Sequence, residues 1–175
     1  MKKSKSFTIT EIMISMLIFI LVISGSIVLI TQTITAVTLT QSRAIAFNLA
    51  QEGIEITRNI RDNNWLEQRY GAVDWDDGLI PNVDGYEADY KSLALTSYIG
   101  KFLSFDSGFY SYSGAACPGS ANCTRFKRKI TIEKYAAVPP DPGFLYIKST
   151  VLWNEKGKDH VAEVSERLYN WYGID

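Results

Sequence analysis

Lys2-Lys3-Ser4-Lys5-Ser6-Phe7-Thr8-Ile9-Thr10-Glu11 opens directly onto Ile12-Met13-Ile14-Ser15-Met16-Leu17-Ile18-Phe19-Ile20, and the reading of this stretch decides the architecture. The apolar run continues to Ile30, and no charged residue stands between Glu11 and Arg43. At 1.5 Å per residue, residues 12–30 are about long enough to cross a hydrocarbon core of ~30 Å. The lysines lie on the N-terminal side, so the positive-inside rule places that end in the cytoplasm and the bulk of the chain outside. Glu11 is the exception within this pattern. A carboxylate in hydrocarbon costs roughly 2.5–3.5 kcal/mol even on lenient insertion scales, so a chain that keeps one there has a use for it. The residue alone allows two uses. A buried acid wants a cation, and an acid at a helix start favours the macrodipole while its side chain snorkels toward headgroups.

A cleaved secretory signal is the main rival for this segment, with a plain signal anchor behind it. A secretory signal has a shorter apolar core followed by a small-x-small cleavage site. Here Ser24-Gly25-Ser26 is followed by Ile27-Val28-Leu29-Ile30, so the small residues sit inside the apolar run.

Beyond the membrane segment the helical signal persists. From Thr31 to Arg61 there is no proline, and the one glycine is Gly53. Ile34, Val37, Gln41, Ile45, Leu49, Glu52, Ile56 and Ile60 recur at three- and four-residue intervals, a helical stripe with two polar interruptions. Gln51, Glu55 and Arg58 look outward, and Asp62-Asn63-Asn64 reads as the helix exit. A helix from near Phe7 to Arg61 would span about 80 Å. Its first part is apolar all round, and its second is one-sided and belongs to a folded head.

The middle is rich in turn formers and aromatics. Gly85-Tyr86-Glu87-Ala88-Asp89-Tyr90 reads as a short strand. Phe102–Phe105 and Phe109–Tyr112 flank Asp106-Ser107-Gly108 as a hairpin. In the last third, Phe126, Arg128, Ile130, Ile132 and Lys134 alternate with Lys127, Lys129, Thr131 and Glu133. Leu145, Ile147, Ser149, Val151 and Trp153 form one face of a second strand, and Val161 to Leu168 a third. Pro139-Pro140-Asp141-Pro142-Gly143 and Asn154–Lys158 mark the connections, so an antiparallel meander follows. The expected class is α+β, with a long N-terminal helix packed on an antiparallel sheet.

With 175 residues and a formal charge of −1, the chain is one small domain and its anchor. Arg125, Lys127, Arg128 and Lys129 form the dense basic cluster. Strand alternation should split it across two faces, so no nucleic-acid footprint is expected. The two cysteines, Cys117 and Cys123, enclose Pro-Gly-Ser-Ala-Asn, a run of turn formers. Outside the cytoplasm a disulfide closing this loop is the expectation, contributing about 2–3 kcal/mol if unstrained. Zinc would need two more soft ligands, and the sequence offers His160 as its one histidine. No metal or other cofactor is expected.

The opening stretch resembles the cleavage signal of type IV pilins and type II secretion pseudopilins. In that family Gly usually precedes Phe-Thr-Leu-hydrophobic-Glu. Here Ser6 stands in place of the Gly, and Ile9-Thr10 in place of the common Leu-Ile. A second region, Leu49–Glu55 with Arg58–Trp65, together with Val151-Leu152-Trp153 and Leu168-Tyr169-Asn170-Trp171, is similar to minor pilins of the type IV pilin modification class. The middle of the chain carries no resemblance.

The resemblance implies a cytoplasmic leader over residues 1–6, a transmembrane helix over 7–30, its amphipathic continuation over 31–64, and an extracytoplasmic head over 65–175. It implies that a prepilin peptidase cuts between Ser6 and Phe7 and methylates the new amine of Phe7. It implies that Glu11 neutralises the terminal amine of a neighbouring subunit, and that the partners are other pilin subunits and inner-membrane assembly machinery. The residues agree on one point: the chain holds no cation at the depth of Glu11 until cleavage creates an amine.

Other functions find less in the sequence. Asp74-Trp75-Asp76-Asp77-Gly78 and His160 are the elements an enzyme would use, yet no triad spacing, phosphate loop or His-Glu-x-x-His motif exists. The same acidic loop offers oxygens for Ca²⁺ without matching the EF-hand pattern. Aromatic residues clustered in the middle, Tyr86, Tyr90, Tyr110 and Tyr112 with Trp65 and Trp75, leave a membrane-anchored binding or adhesion module as the alternative.

Overall fold

The computed structural model describes residues 8–68, 71, 73–112, 121–138 and 143–170. One helix, α1 (Ile9–Gln68), precedes seven strands: β1 (Asn82–Glu87), β2 (Thr96–Ser97), β3 (Ser104–Asp106), β4 (Phe109–Ser111), β5 (Phe126–Tyr135), β6 (Phe144–Glu155) and β7 (Lys158–Tyr169). A five-stranded sheet runs in the order β2-β1-β5-β6-β7, and β3-β4 form a separate hairpin. All pairings are antiparallel. The architecture is therefore α+β, one long N-terminal helix and an antiparallel sheet. The chain divides into two units, Met1–Ser42 and Arg43–Asp175.

The meander is the frame of the second unit. Along β6 every second residue from Leu145 to Trp153 is buried while its neighbours are partly exposed, as a half-buried strand requires. The β6–β7 turn is a two-residue loop in which Lys156 and Gly157 both have positive φ, 53° and 77°. That geometry matches the twist of the flanking strands. The β3–β4 hairpin turns in the same way at Ser107 and Gly108.

Helix residues buried in this unit are Ala46, Leu49, Ala50, Gly53, Ile54, Ile56, Thr57, Ile60, Arg61 and Trp65. This stripe is rotated from the expected one. Ile34 and Val37 are 57% and 60% exposed, and burial begins only at Ser42. Ile54, Ile56 and Ile60 join Ile130, Ile132, Leu145, Ile147 and Leu168 in one core cluster. Ala46, Leu49 and Ala50 join Leu103, Phe126, Val151 and Trp153 in another. Gly53 is where helix and sheet approach most closely, since a Cβ there would stand 2.3 Å from Ser149 Oγ.

The helix also ends later than expected. Asp62-Asn63-Asn64 stays helical, and Asn64 uses its amide as a latch, donating to the carbonyls of Trp75 and Asp77 at 3.2 and 2.8 Å. One residue on, Trp65 is buried, and its Nε1 donates to Asn170 Oδ1 at 3.1 Å. Tertiary partners thus override the turn propensity of the three polar residues. β1 also begins earlier than the expected strand, and Ala88-Asp89-Tyr90 lies beyond its end.

Asp89 ties the segment after β1 to the hairpin. Its carboxylate accepts from Ser92 Oγ, Lys91 N and Tyr112 N at 2.9–3.0 Å. Burial pushes its pKa up, but these donors and the charge of Arg128 outweigh that and hold it below the usual carboxylate range. A depressed carboxylate contributes stability above its unfolded pKa and loses it as pH falls through the folded value. Acidification below about pH 4 is therefore expected to weaken the head. Asp89→Asn should flatten that acid limb, read as the urea midpoint at pH 3 against pH 7.

Candidate functional site

The apolar half of α1 is a continuous exposed surface. Every residue from Ile9 to Thr38 is exposed. Among the described residues, α1 is the one helix long and apolar enough to cross a membrane. Its hydroxyls do not interrupt it, because they turn back on the helix itself. Ser15 donates to the Glu11 carbonyl, Ser24 to Ile20, Ser26 to Val22, and Thr33 to Leu29, at 2.7–2.9 Å. Polar side chains satisfied within one helix are what an apolar medium demands.

Glu11 sits in the first turn. The backbone N–H of Glu11 lies 3.4 Å from Thr8 Oγ1, and the Ile12 N–H donates to the Thr8 carbonyl at 3.2 Å. Thr8-Ile9-Thr10-Glu11 thus has the spacing of a capping box, with Thr8 at the cap and Glu11 three residues on. The Glu11 side chain is exposed and takes no cation among the described residues. Ser6 and Phe7, the expected cleavage pair, lie outside the described residues.

In the second unit, Cys123 is disulfide-bonded, and Cys117 lies outside the described residues. Cys123 forms an antiparallel bridge with Ser104 beside the hairpin. Asp76 is occupied by an ion pair with Lys134. Among the described residues no group of three or more His, Cys, Asp or Glu is placed to hold a metal ion. His160 stacks on Trp153 with ring centroids 5.3 Å apart.

Two features escaped sequence reasoning. The first is a buried charge. Arg128 is fully buried. Its guanidinium pairs with Glu52 at 3.2 Å, donates to the Leu49 carbonyl at 3.0 Å, and donates to the Ala88 carbonyl. It thereby ties α1 and the segment after β1 to β5. Glu52, a polar break in the helical stripe, and Arg128, a polar break in the strand pattern, explain each other.

The second is the fate of the basic cluster. Alternation takes only Arg128 inside. Lys127 and Lys129 lie together on the outer face of β5, and Arg125 lines the same cavity as Lys127. No family model, curated protein or solved structure matches the chain.

Proposed function

We propose that this chain is a minor pilin or pseudopilin. It is a structural and assembly subunit of a type IV pilus or a type II secretion-like filament, held in the cytoplasmic membrane before assembly with its N-terminus inside and its head outside. One observation carries this reading. A long apolar helix is exposed along its whole first half and holds, in its first turn, a single carboxylate with no cation beside it among the described residues. Lipid can cover the apolar surface, but it leaves Glu11 to mobile headgroups and water. Packing of like helices covers the surface, and a processed terminal amine supplies the cation. The head, an antiparallel sheet against the one-sided half of the helix, suits a subunit displayed outside the membrane.

Adhesion is the second reading, favoured by exposed aromatics at the hairpin. Tyr90 and Phe109 stack with centroids 4.9 Å apart, and both are exposed.

Processing tests the assignment. Coexpression with a prepilin peptidase should convert the chain to a product whose N-terminus is a methylated Phe7, read by intact-mass spectrometry. An unprocessed Met1 terminus, beside a control prepilin that is cut, would reject the pilin reading and leave a signal-anchored binding module.

A further inference from the structure

We propose that the outer face of β5, with the segment that crosses it, binds single-stranded nucleic acid. The proposal is independent of the filament assignment. Residues two apart on a strand stand about 6.7 Å apart on one face, so Lys127 and Lys129, with Arg125 just before them, form a row of cations. This spacing is close to the phosphate repeat of an extended single strand.

Rings interleave with the charges. Lys127 Nζ lies 4.3 Å from the centre of the Phe102 ring, and Lys129 Nζ lies 5.5 Å from that of Tyr98. Cations tracking a backbone beside rings that accept stacked bases are how proteins hold single strands. Phe102, Tyr98, Arg125 and Lys127 also line a shared cavity of about 390 Å³.

The row is held in place from beneath. Buried Glu87 accepts from the backbone N–H groups of Ile99 and Lys101 at 3.2 and 2.8 Å, which pins the segment carrying both rings. Gly85, at φ +81°, makes room for the stem of Lys129; a Cβ there would meet its Cε at 2.6 Å. Lys129 Nζ then donates to the Val83 carbonyl at 3.3 Å.

Charge balance favours an anion. Lys127 and Lys129 have no carboxylate within ion-pair distance among the described residues, whereas Arg125 pairs with Glu155 at 3.3 Å. Of the nearby acids, Glu87 faces Lys101 at 4.0 Å, Asp159 accepts from Asn154 at 2.7 Å and Glu163 from Thr150 at 3.2 Å. Asp159 lines the cavity, where it suits the amino edge of a base rather than a phosphate.

The test uses the full chain in neutral detergent micelles and a fluorescein-labelled oligothymidylate, read by anisotropy. Two phosphate contacts, from Lys127 and Lys129, predict that affinity falls with salt at a log–log slope of about −1.4. Lys127→Glu/Lys129→Glu should weaken binding at least tenfold, while Lys91→Glu, outside the row, should leave it unchanged. Phe102→Ala should weaken binding at least fivefold at an unchanged salt slope, because a ring releases no counterions. Tryptophan-fluorescence melts check folding, and Lys127→Gln/Lys129→Gln replaces the charge reversal if that variant melts early. Absence of binding at low salt would overturn the proposal. Equal affinity for heparin or duplex DNA, with Phe102→Ala silent, would also overturn it and reduce the row to a general polyanion patch.

Discussion

Arg128→Ala is expected to destabilise the head by about 3–5 kcal/mol, the usual cost of removing one partner from a buried ion pair. The alanine leaves the Glu52 carboxylate facing the vacated space and takes a donor from the carbonyls of Leu49 and Ala88. It also opens a cavity where the largest fully buried side chain of the molecule had been. In thermal unfolding of the full chain in detergent, followed by tryptophan fluorescence, the midpoint should fall by roughly 10–15 °C.

Arg128→Met/Glu52→Leu is the informative companion. It removes both charges and refills the volume, so most of the loss should return. If the single and double variants melt together, neither the stranded charge nor the lost volume accounts for the defect, and the ion-pair account fails.

The same pair shows what was legible beforehand. Period-two spacing in residues 126–134 assigns Arg128 to the apolar face, and three- and four-residue spacing assigns Glu52 to the helical stripe. Each is a polar error within its own element. That the two errors answer each other depends on how β5 meets α1, a contact between distant parts of the chain that local periodicity does not encode. The basic cluster is split across the two faces of β5, as alternation implies. What alternation does not encode is which rings stand beside Lys127 and Lys129: Phe102, at the start of the expected hairpin, and Tyr98, from a segment where no element is expected.

Element types were legible wherever one face is buried and the pattern is long. The three meander strands and the β3–β4 hairpin stand close to where alternation and turn residues put them. Boundaries set by tertiary contacts were not. Asp62-Asn63-Asn64 has the composition of an exit, yet Asn64 latches a later loop and Trp65 is buried just beyond it. The buried face of α1 is rotated because its small residues, Ala46, Ala50 and Gly53, carry the close approach. A reading that weights bulky apolar residues tilts toward Ile45 and away from them. At the N-terminus, the capping-box spacing of Thr8 and Glu11 is legible in the sequence beside the charge of the acid.

That second role for Glu11 sharpens the expected result at the site. Glu11→Ala removes a charge from an apolar run, so membrane insertion should be at least as efficient as in the wild type. Processing should survive, because the proposed scissile bond lies between Ser6 and Phe7. The head should melt as before, since Glu11 belongs to the other unit. Incorporation into filaments should fail, because a neighbour's terminal amine would be buried without its counter-charge. That loss costs about 3–5 kcal/mol, which lowers incorporation by well over tenfold.

Alanine, however, also removes a side chain that suits the third position of a capping box. Glu11→Gln separates the two. Glutamine serves at the third position of a capping box as glutamate does, but it carries no charge. Charge pairing therefore predicts that Glu11→Gln is as defective as Glu11→Ala in the ratio of sheared-filament to membrane protein. Capping alone predicts that glutamine restores the ratio. A wild-type ratio for both variants would remove Glu11 from assembly altogether, while a methylated Phe7 terminus on the same proteins would keep the pilin assignment standing.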